Sequence, residues 1–229
     1  MKIGGFQKMT VLDFPGKIAC IIFTHGCNFK CPFCHNARLV TEDSDFFDEE
    51  EILSYLNKRR GILDGVCISG GEPLIHCDSV FALMKKIKDL GFLIKLDTNG
   101  YLPNKLKFAI DNGLVDYVAM DIKNSPDKYP QTAGIDIVDM EKIKSSIEII
   151  MSSSIDYEFR TTVTKELHTP EDFVEIGKLI RGAKRYYIQN FVDSGGIISE
   201  GSSPLENQGL TALLEAISPY VPGALIRGQ

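Results

Sequence analysis

The sequence predicts an α/β fold in which helices cover a parallel β-sheet. Six short apolar segments rich in β-branched residues alternate with helical patterns along the chain. Most of these segments are apolar throughout, which is typical of strands buried on both faces. A chain of 229 residues can form one sizeable core. Right-handed crossovers leave two architectures open, a doubly wound sheet and a curved partial barrel.

The strands are predicted from the apolar segments and from the glycines and polar residues that bound them. The first segment, I-A-C-I-I-F-T, is bounded by a lysine and a histidine and shows no polar alternation. The six predicted strands are residues 18–24, 66–69, 92–97, 117–122, 157–163 and 186–191.

The helices are predicted from apolar spacing and from local start and stop signals. Asp48 is placed to cap a helix whose first turn is acidic. Gly91 and Gly113 end two further helices, and Pro170 lies in the first turn of another. The six predicted helices are residues 47–60, 78–90, 105–112, 139–151, 170–180 and 210–217.

Composition narrows the class of protein. A hydrophobic content of 44% and a charged content of 24% are ordinary for a globular protein. The net charge of −6 argues against a general nucleic-acid binder. No apolar run predicts a membrane span and no secretory signal is recognised, so we expect a cytoplasmic protein. We expect one domain over residues 1–229, with a core at 17–192, an N-terminal extension at 1–16 and a C-terminal tail at 193–229.

Three closely spaced cysteines are the strongest chemical signal. Cys27, Cys31 and Cys34 form a C-x₃-C-x₂-C run, whereas the other three cysteines are scattered. Thiolates bind iron–sulfur clusters, and a four-iron cluster normally takes four of them. Three therefore leave one iron open for chemistry. A zinc site with His35 as fourth ligand is the alternative, although adjacent residues rarely chelate one ion without strain.

Further polar residues and glycines follow the predicted strands. The cysteine run comes after the first strand, residues 70–73 after the second, and residues 97–100 after the third. Charged and amide side chains end or lie within the remaining strands. They are Asp121, Lys123, Arg160, Gln189 and Asn190. Because active sites of parallel sheets lie at the carboxyl ends of the strands, these residues predict one common site.

The cysteine run resembles the signature of the radical S-adenosylmethionine (SAM) enzymes. The resemblance implies a partial (β/α)₆ barrel of parallel strands with outer helices, and a [4Fe–4S] cluster whose open iron binds SAM. Electron transfer would then generate a 5′-deoxyadenosyl radical. The stretch S-G-G-E-P at residues 69–73 resembles the G-G-E-P motif of the same family. It implies that the backbone of Gly70 and Gly71 contacts the SAM amino group and that Glu72 orients the turn.

Two further segments resemble activating enzymes of glycyl-radical enzymes. They are D-T-N-G at residues 97–100 and D-x-K at residues 121–123. The resemblance implies that Lys123 pairs with the SAM carboxylate and that Asp97 and Asp121 face its ribose and amino side, with a monovalent cation between them. The resemblance also implies that Phe33 packs against the adenine of SAM, that Asn36 stabilises the cluster loop or SAM, and that Thr98 contacts SAM. Arg160 interrupts an otherwise apolar strand and is a candidate contact of the SAM carboxylate or ribose. For Arg160, a structural ion pair is the equally weighted alternative.

The N-terminal stretch G-F-Q-K-M-T-V-L-D-F-P-G-K resembles the start of anaerobic ribonucleoside-triphosphate reductase activating proteins. The expected partner is a glycyl-radical enzyme, with anaerobic ribonucleotide reductase preferred and pyruvate formate-lyase next. Few cysteines remain for further clusters, so we expect an external flavodoxin- or ferredoxin-type electron donor. The cofactors would carry the chemistry without a catalytic side chain. The alternatives are a radical SAM enzyme for a small molecule, such as a deazapurine synthase, and a non-enzymatic zinc or scaffold protein.

Overall fold

A computed structural model describes residues 1–41, 46–193 and 195–228, and its strands form one sheet. The order of strands in the sheet is the order in the chain. The first two strands are antiparallel, and every later neighbouring pair is parallel. The strands are β1 Ile3–Thr10, β2 Ala19–Thr24, β3 Gly65–Gly70, β4 Leu93–Thr98, β5 Tyr117–Asp121, β6 Asp156–Val163, β7 Tyr186–Asn190 and β8 Ala224–Arg227.

The strand order selects the partial barrel over the doubly wound sheet. A doubly wound sheet reverses its strand order at a switch point, and this sheet does not. With right-handed crossovers, an unreversed order places the helices on one face and curves the sheet around the other. The α/β class with a mostly parallel sheet is therefore confirmed.

The helices begin and end within a few residues of their predicted positions. Asp48 caps its helix by accepting hydrogen bonds from the backbone N–H groups of Glu50 and Glu51. No helix among the described residues is both long enough and apolar enough to span a membrane. The helices are α1 Ala37–Thr41, α2 Glu49–Lys58, α3 Cys77–Asp89, α4 Pro103–Asp111, α5 Tyr129–Ala133, α6 Met140–Ser152, α7 Pro170–Leu179 and α8 Asn207–Ile217.

The sequence prediction missed two strands and two short helices. Strand β1 carries two glycines and polar residues, and much of it is half-buried or exposed at the edge of the sheet. Strand β8 has only four residues. The six predicted strands correspond to β2–β7, so the predicted extension and tail each add an edge strand. The short helices α1 and α5 lie in the connections after β2 and β5 and lack the length for a periodic signal.

The barrel interior towards the amino ends of the strands is filled by an aromatic ring and by an ion pair whose carboxylate is fully buried. Phe14, from the β1–β2 connection, packs inside the barrel and would lie 2.8 Å from a Cβ at Gly65. Glu158 on β6 is fully buried and accepts from both terminal nitrogens of Arg227 on β8, at 2.9 and 2.8 Å. The hydroxyl of Tyr117 donates to the same carboxylate at 2.8 Å. Above these groups, a cavity remains at the carboxyl ends of the strands.

Candidate active site

A cavity of about 300 Å³ lies at the carboxyl ends of the parallel strands. This volume is within the usual range for a small-molecule site. The three cysteines of the run line it together, and so do nearly all of the other residues that the sequence pattern selected. The predicted residues lining the cavity are Cys27, Cys31, Cys34, Phe33, Asn36, Gly70, Gly71, Asp97, Thr98, Asp121, Lys123 and Arg160. Glu72 does not line it.

The loop that carries the cysteines is fixed by backbone and side-chain hydrogen bonds. The N–H of Lys30 donates to the carbonyl of Ala133 in α5 at 2.8 Å, and the N–H of Cys34 donates to the carbonyl of Cys31 at 3.1 Å. The N–H of Phe29 points at the sulfur of Cys27, with a nitrogen–sulfur distance of 3.3 Å. The loop therefore presents its thiols to the cavity from a fixed backbone.

The thiol arrangement fits a cluster better than a single metal ion. Within the described ranges, no three His, Cys, Asp or Glu side chains converge on a point that one ion could occupy. The ring of His35 stacks on Phe191 at 5.5 Å between centroids. A four-iron cluster needs one thiolate per iron, so its three ligands line a cavity without meeting at one point. Burial raises the pKa of Cys27 to about 12, so metal binding must displace its proton.

The two glycines after β3 are required by the protein backbone itself. A Cβ at Gly70, whose φ is +118°, would lie 2.3 Å from the backbone nitrogen of Thr24. A Cβ at Gly71 would lie 1.9 Å from the carbonyl oxygen of Gly26, in the loop that leads to the cysteines. Glycine is therefore required here because two chain segments approach each other closely. The sequence alone suggests the approach of a ligand as the reason for these glycines. Contact with the SAM amino group stays a prediction.

Glu72 joins two turns beneath the cavity. Its carboxylate accepts from the N–H of Leu74 at 3.1 Å, the hydroxyl of Thr98 at 2.9 Å and the N–H of Asn99 at 2.7 Å. The side chain is fully buried, and this burial raises its pKa to about 7. These contacts support the expected role in orienting the turn. Asn36 makes a similar link from the cysteine side, because its amide donates to the carbonyl of Gly70 at 3.1 Å.

Four charged side chains of the cavity form one ion-pair network. Arg160 lies between two carboxylates, with Nε 2.5 Å from Asp121 and Nη2 3.4 Å from Asp97. The second oxygen of Asp121 accepts from Lys123 at 2.8 Å. Burial raises the pKa of Asp121, but the charges of Arg160 and Lys123 outweigh it and hold that pKa well below its usual range. The guanidinium thus supplies positive charge between the carboxylates, and a monovalent cation there stays a prediction.

The aromatic wall of the cavity includes Phe33, which is 4% exposed. Its ring packs edge to face against His168, with centroids 6.3 Å apart. The imidazole of His168 is fixed in turn by the N–H of Thr164 at 3.1 Å and lies 3.0 Å from the carbonyl of Lys123. His168, which carried no sequence signal, therefore supports both Phe33 and the strand end that carries Lys123. The adenine contact of Phe33 stays a prediction.

Several polar residues at the site were given no role from the sequence, among them Thr162, which lines the cavity. Lys95 is almost completely buried and forms an ion pair with Asp97. Ser69 donates to the other oxygen of Asp97 at 3.0 Å. Asp13, from the β1–β2 connection, lines the cavity and accepts from the hydroxyl of Thr10 at 2.5 Å. Lys95 could have been found, because residues two apart in a strand share a face.

Comparisons with known proteins agree with this geometry. The chain is 32% identical to a Methanocaldococcus jannaschii protein named a putative glycyl-radical enzyme activating enzyme, over 98% of this chain and 95% of that protein. It is 31% identical to a probable GTP 3′,8-cyclase of Saccharolobus solfataricus, over 56% of this chain and 43% of the cyclase.

A solved structure and a family profile complete the comparison. Streptococcus suis SuiB bound to S-adenosylmethionine superposes with a TM-score of 0.69 at 17% identity, over 91% of this chain and 50% of SuiB, which shows the shared fold. The profile of the Radical SAM superfamily matches residues 21–180, from β2 to the end of α7. The matched segment contains the three cysteines, the glycine turn and the ion-pair network. The chain is an enzyme that belongs to the radical SAM superfamily.

Proposed function

We propose that this protein activates a glycyl-radical enzyme by removing a hydrogen atom from a glycine Cα of that partner. The observation that carries the proposal is the similarity to the M. jannaschii protein, which extends over nearly the full length of both chains. The D-T-N-G and D-x-K segments support the same class, since both lie on the cavity. The preferred partner is an anaerobic ribonucleotide reductase, because the N-terminal stretch resembles its activating proteins.

The cysteines and the charged residues divide the binding of the cofactors between them. Cys27, Cys31 and Cys34 would hold three irons of the cluster and leave the fourth to SAM. When bound, the cluster and SAM supply a one-electron reductive cleavage that yields a hydrogen-abstracting radical, with the electron coming from a flavodoxin- or ferredoxin-type donor. The protein contributes the fixed positions at which these groups are held.

The charge network is suited to binding and orientation. SAM carries a sulfonium, an ammonium and a carboxylate, so its site must present both signs of charge at close range. The ammonium of Lys123 has three N–H donors, of which the contact with Asp121 occupies one. The remaining donors can receive the ligand carboxylate. Asp97 and Asp121 lie on the same cavity wall and would face the ribose and the cationic groups.

A small-molecule substrate is the second candidate. It is favoured by the similarity to the GTP 3′,8-cyclase, which includes just over half of this chain. That similarity extends over less than half of the cyclase. The similarity to the M. jannaschii protein extends over 95% of the M. jannaschii protein. The coverage therefore favours the activating enzyme.

Radical formation on the partner tests the proposal. The protein is reconstituted with iron and sulfide under anaerobic conditions and mixed with SAM, a reductant and the candidate ribonucleotide reductase. We expect a glycine-centred doublet in the electron paramagnetic resonance spectrum. A partner whose radical-site glycine is replaced by alanine serves as the control and should give no doublet. Absence of the doublet with every candidate partner, together with SAM-dependent consumption of GTP, would favour the small-molecule enzyme.

A further inference from the structure

Lys95 is a buried cation just beneath the cavity. It lies on β4, two positions before Asp97 and on the same face of the strand. Its side chain is only 2% exposed and forms an ion pair with Asp97. Burial of an ammonium group is costly unless the group is paired. Lys95 does not line the cavity, so it can influence a ligand only through its charge and through the side chain that it holds.

Lys95 stands at one end of an alternating row of charges. Asp97 lies between Lys95 and Arg160, and Asp121 lies between Arg160 and Lys123. The row therefore runs positive, negative, positive, negative, positive across three neighbouring strands. Its far end, Lys123, is the cation proposed to receive the ligand carboxylate. Removal of Lys95 would leave Asp97 to compete with Asp121 for the single guanidinium.

The charge of the cavity depends on Lys95. Apart from the proposed iron ligands, the charged side chains that line the described part of the cavity are Asp13, Asp97, Asp121, Lys123 and Arg160. These are three negative and two positive groups. Lys95, which does not line the cavity but forms an ion pair with Asp97, offsets one of the three negative charges. Without Lys95 the charge at the cavity would be more negative by one unit, which would repel a ligand carboxylate and attract a ligand cation.

We propose that Lys95 is a positioning residue that neutralises Asp97 and so gives the cavity its preference for a ligand with a carboxylate next to its cationic groups. The proposal rests on the SAM binding assigned above. It concerns the relative affinity of the cavity for two ligands, one with this carboxylate and one without it. Decarboxylated SAM is the matching probe, because it keeps the sulfonium, the amine and the adenosine of SAM and lacks only the carboxylate.

The first test is Lys95→Met in the anaerobically reconstituted protein, with equilibrium binding of SAM and of decarboxylated SAM. We expect the affinity for SAM to fall about tenfold, the order expected for one nearby unit charge at an effective dielectric constant of about 20. The affinity for decarboxylated SAM should stay the same or rise. Lys88→Met is the matched control, because it removes an ion pair with Asp116 outside the cavity and should leave the preference unchanged.

Two further variants separate a charge effect from a packing effect. Lys95→Met combined with Asp97→Asn removes one charge of each sign and so restores the wild-type sum of charges, and the preference for SAM should return to within about threefold of the wild-type value. Asp97→Asn alone makes the sum of charges more positive by one unit and should raise the preference above that value, which keeps a test available if Lys95→Met does not fold.

Two results would overturn the role of Lys95. One is an equal fall in the affinities for SAM and for decarboxylated SAM in Lys95→Met. The other is a ratio of these two affinities that does not change with the sum of charges. If the wild-type protein bound neither ligand, the assignment of SAM itself would fail instead.

Discussion

Side chains at and beneath the cavity differ in how many of their hydrogen-bonding atoms are already paired within the protein. The carboxylate of Glu72 accepts three hydrogen bonds from the protein, and the side chain is fully buried. Lys123 has one described partner, Asp121, and lines the cavity. Because a ligand can use only groups that are exposed and unsaturated, Lys123 is the better candidate for direct contact with SAM.

Replacement of Lys123 by alanine should therefore weaken SAM binding. We expect a loss of about 1.5–3 kcal/mol, the range for a hydrogen bond to a charged group. The iron content should not change, since Lys123 is not a proposed cluster ligand. Equilibrium binding of SAM to the reconstituted protein measures the effect. Lys107→Ala, which removes an exposed ion pair with Asp111 on α4, is the control. Equal SAM affinity in Lys123→Ala and the control would remove Lys123 from the site.

Replacement of Cys31 by alanine should prevent stable cluster binding. Cys31 is one of the three thiols that line the cavity, so its loss leaves a second iron without a protein ligand. We expect about four irons per chain in the wild-type protein after anaerobic reconstitution and far fewer in Cys31→Ala, with no SAM cleavage. Cys77→Ala, outside the cavity lining, should load normally. Full iron loading of Cys31→Ala would refute the cluster assignment.

Most of the site residues that the sequence predicted lie in contiguous motifs. The cysteine run, residues 70–73 and residues 97–100 each place several informative residue types side by side, and the cavity brings them together. Lys95 and Asp13 have no such context. The spacing of two residues from Asp97 in one strand could have indicated the partner of Lys95. An aspartate in a connection has many possible partners, and only the assembled barrel shows that Asp13 lines the cavity.

At the level of elements, the glycine turn after β3 and the cysteine loop after β2 are packed backbone to backbone. Gly71→Ala would place a Cβ 1.9 Å from the carbonyl of Gly26, so one segment must move. We expect about 1–3 kcal/mol lower stability, the usual cost of overpacking. Iron should also be lost faster. Thermal unfolding and iron release measure both effects. Gly209→Ala on α8, which meets only the flexible side chain of Leu205, should not destabilise.

The ion pair between β6 and β8 should make stability depend on pH. Burial raises the pKa of Glu158, but the hydrogen bonds and charge of Arg227 outweigh burial and lower that pKa below its usual value. A lowered carboxyl pKa stabilises the fold above the unfolded pKa of about 4.3, and this stability is lost as the pH falls through the folded pKa. The contribution of the pair is therefore fully present at neutral pH.

Arg227→Met should destabilise the fold at pH 7 by about 3 kcal/mol, near the lower end for a broken buried pair because Arg227 is one-third exposed. The difference from wild type should shrink at pH 5, since the unpaired Glu158 can then take up a proton. Urea denaturation at both pH values measures this. Lys144→Met, which breaks an exposed pair with Glu141 on α6, should cost less than about 1 kcal/mol. A pH-independent difference would contradict the electrostatic origin.

Local signals explain which elements the sequence predicted well. The starts of α2 and α6 follow from the capping residues Asp48 and Asp139, and the start of α7 from a capping box at Thr169. Strands β1 and β8 form the two edges of the sheet and are held there by pairing with β2 and β7. Such pairing leaves little trace in a short segment, so both were assigned to an extension and a tail.

At the level of the whole molecule, the choice between barrel and doubly wound sheet could not be made from local patterns. Both architectures use the same alternation of strand and helix, and they differ only in the direction in which successive crossovers proceed. The unreversed order from β1 to β8 decides it. This curvature gathers the ends of β2–β7 around one cavity, which explains how residues from 13 to 189 line the same site.

The hydrogen atom removed from the partner should be found in the product derived from SAM. The glycine Cα–H bond of the partner should break homolytically, and the hydrogen should appear in 5′-deoxyadenosine while the unpaired electron remains on the glycine. A partner labelled with deuterated glycine should therefore give singly deuterated 5′-deoxyadenosine, measured by mass spectrometry. A labelled partner with alanine at the radical site should give no deuterium. Unlabelled product formed at the same rate with and without the partner would contradict a protein substrate.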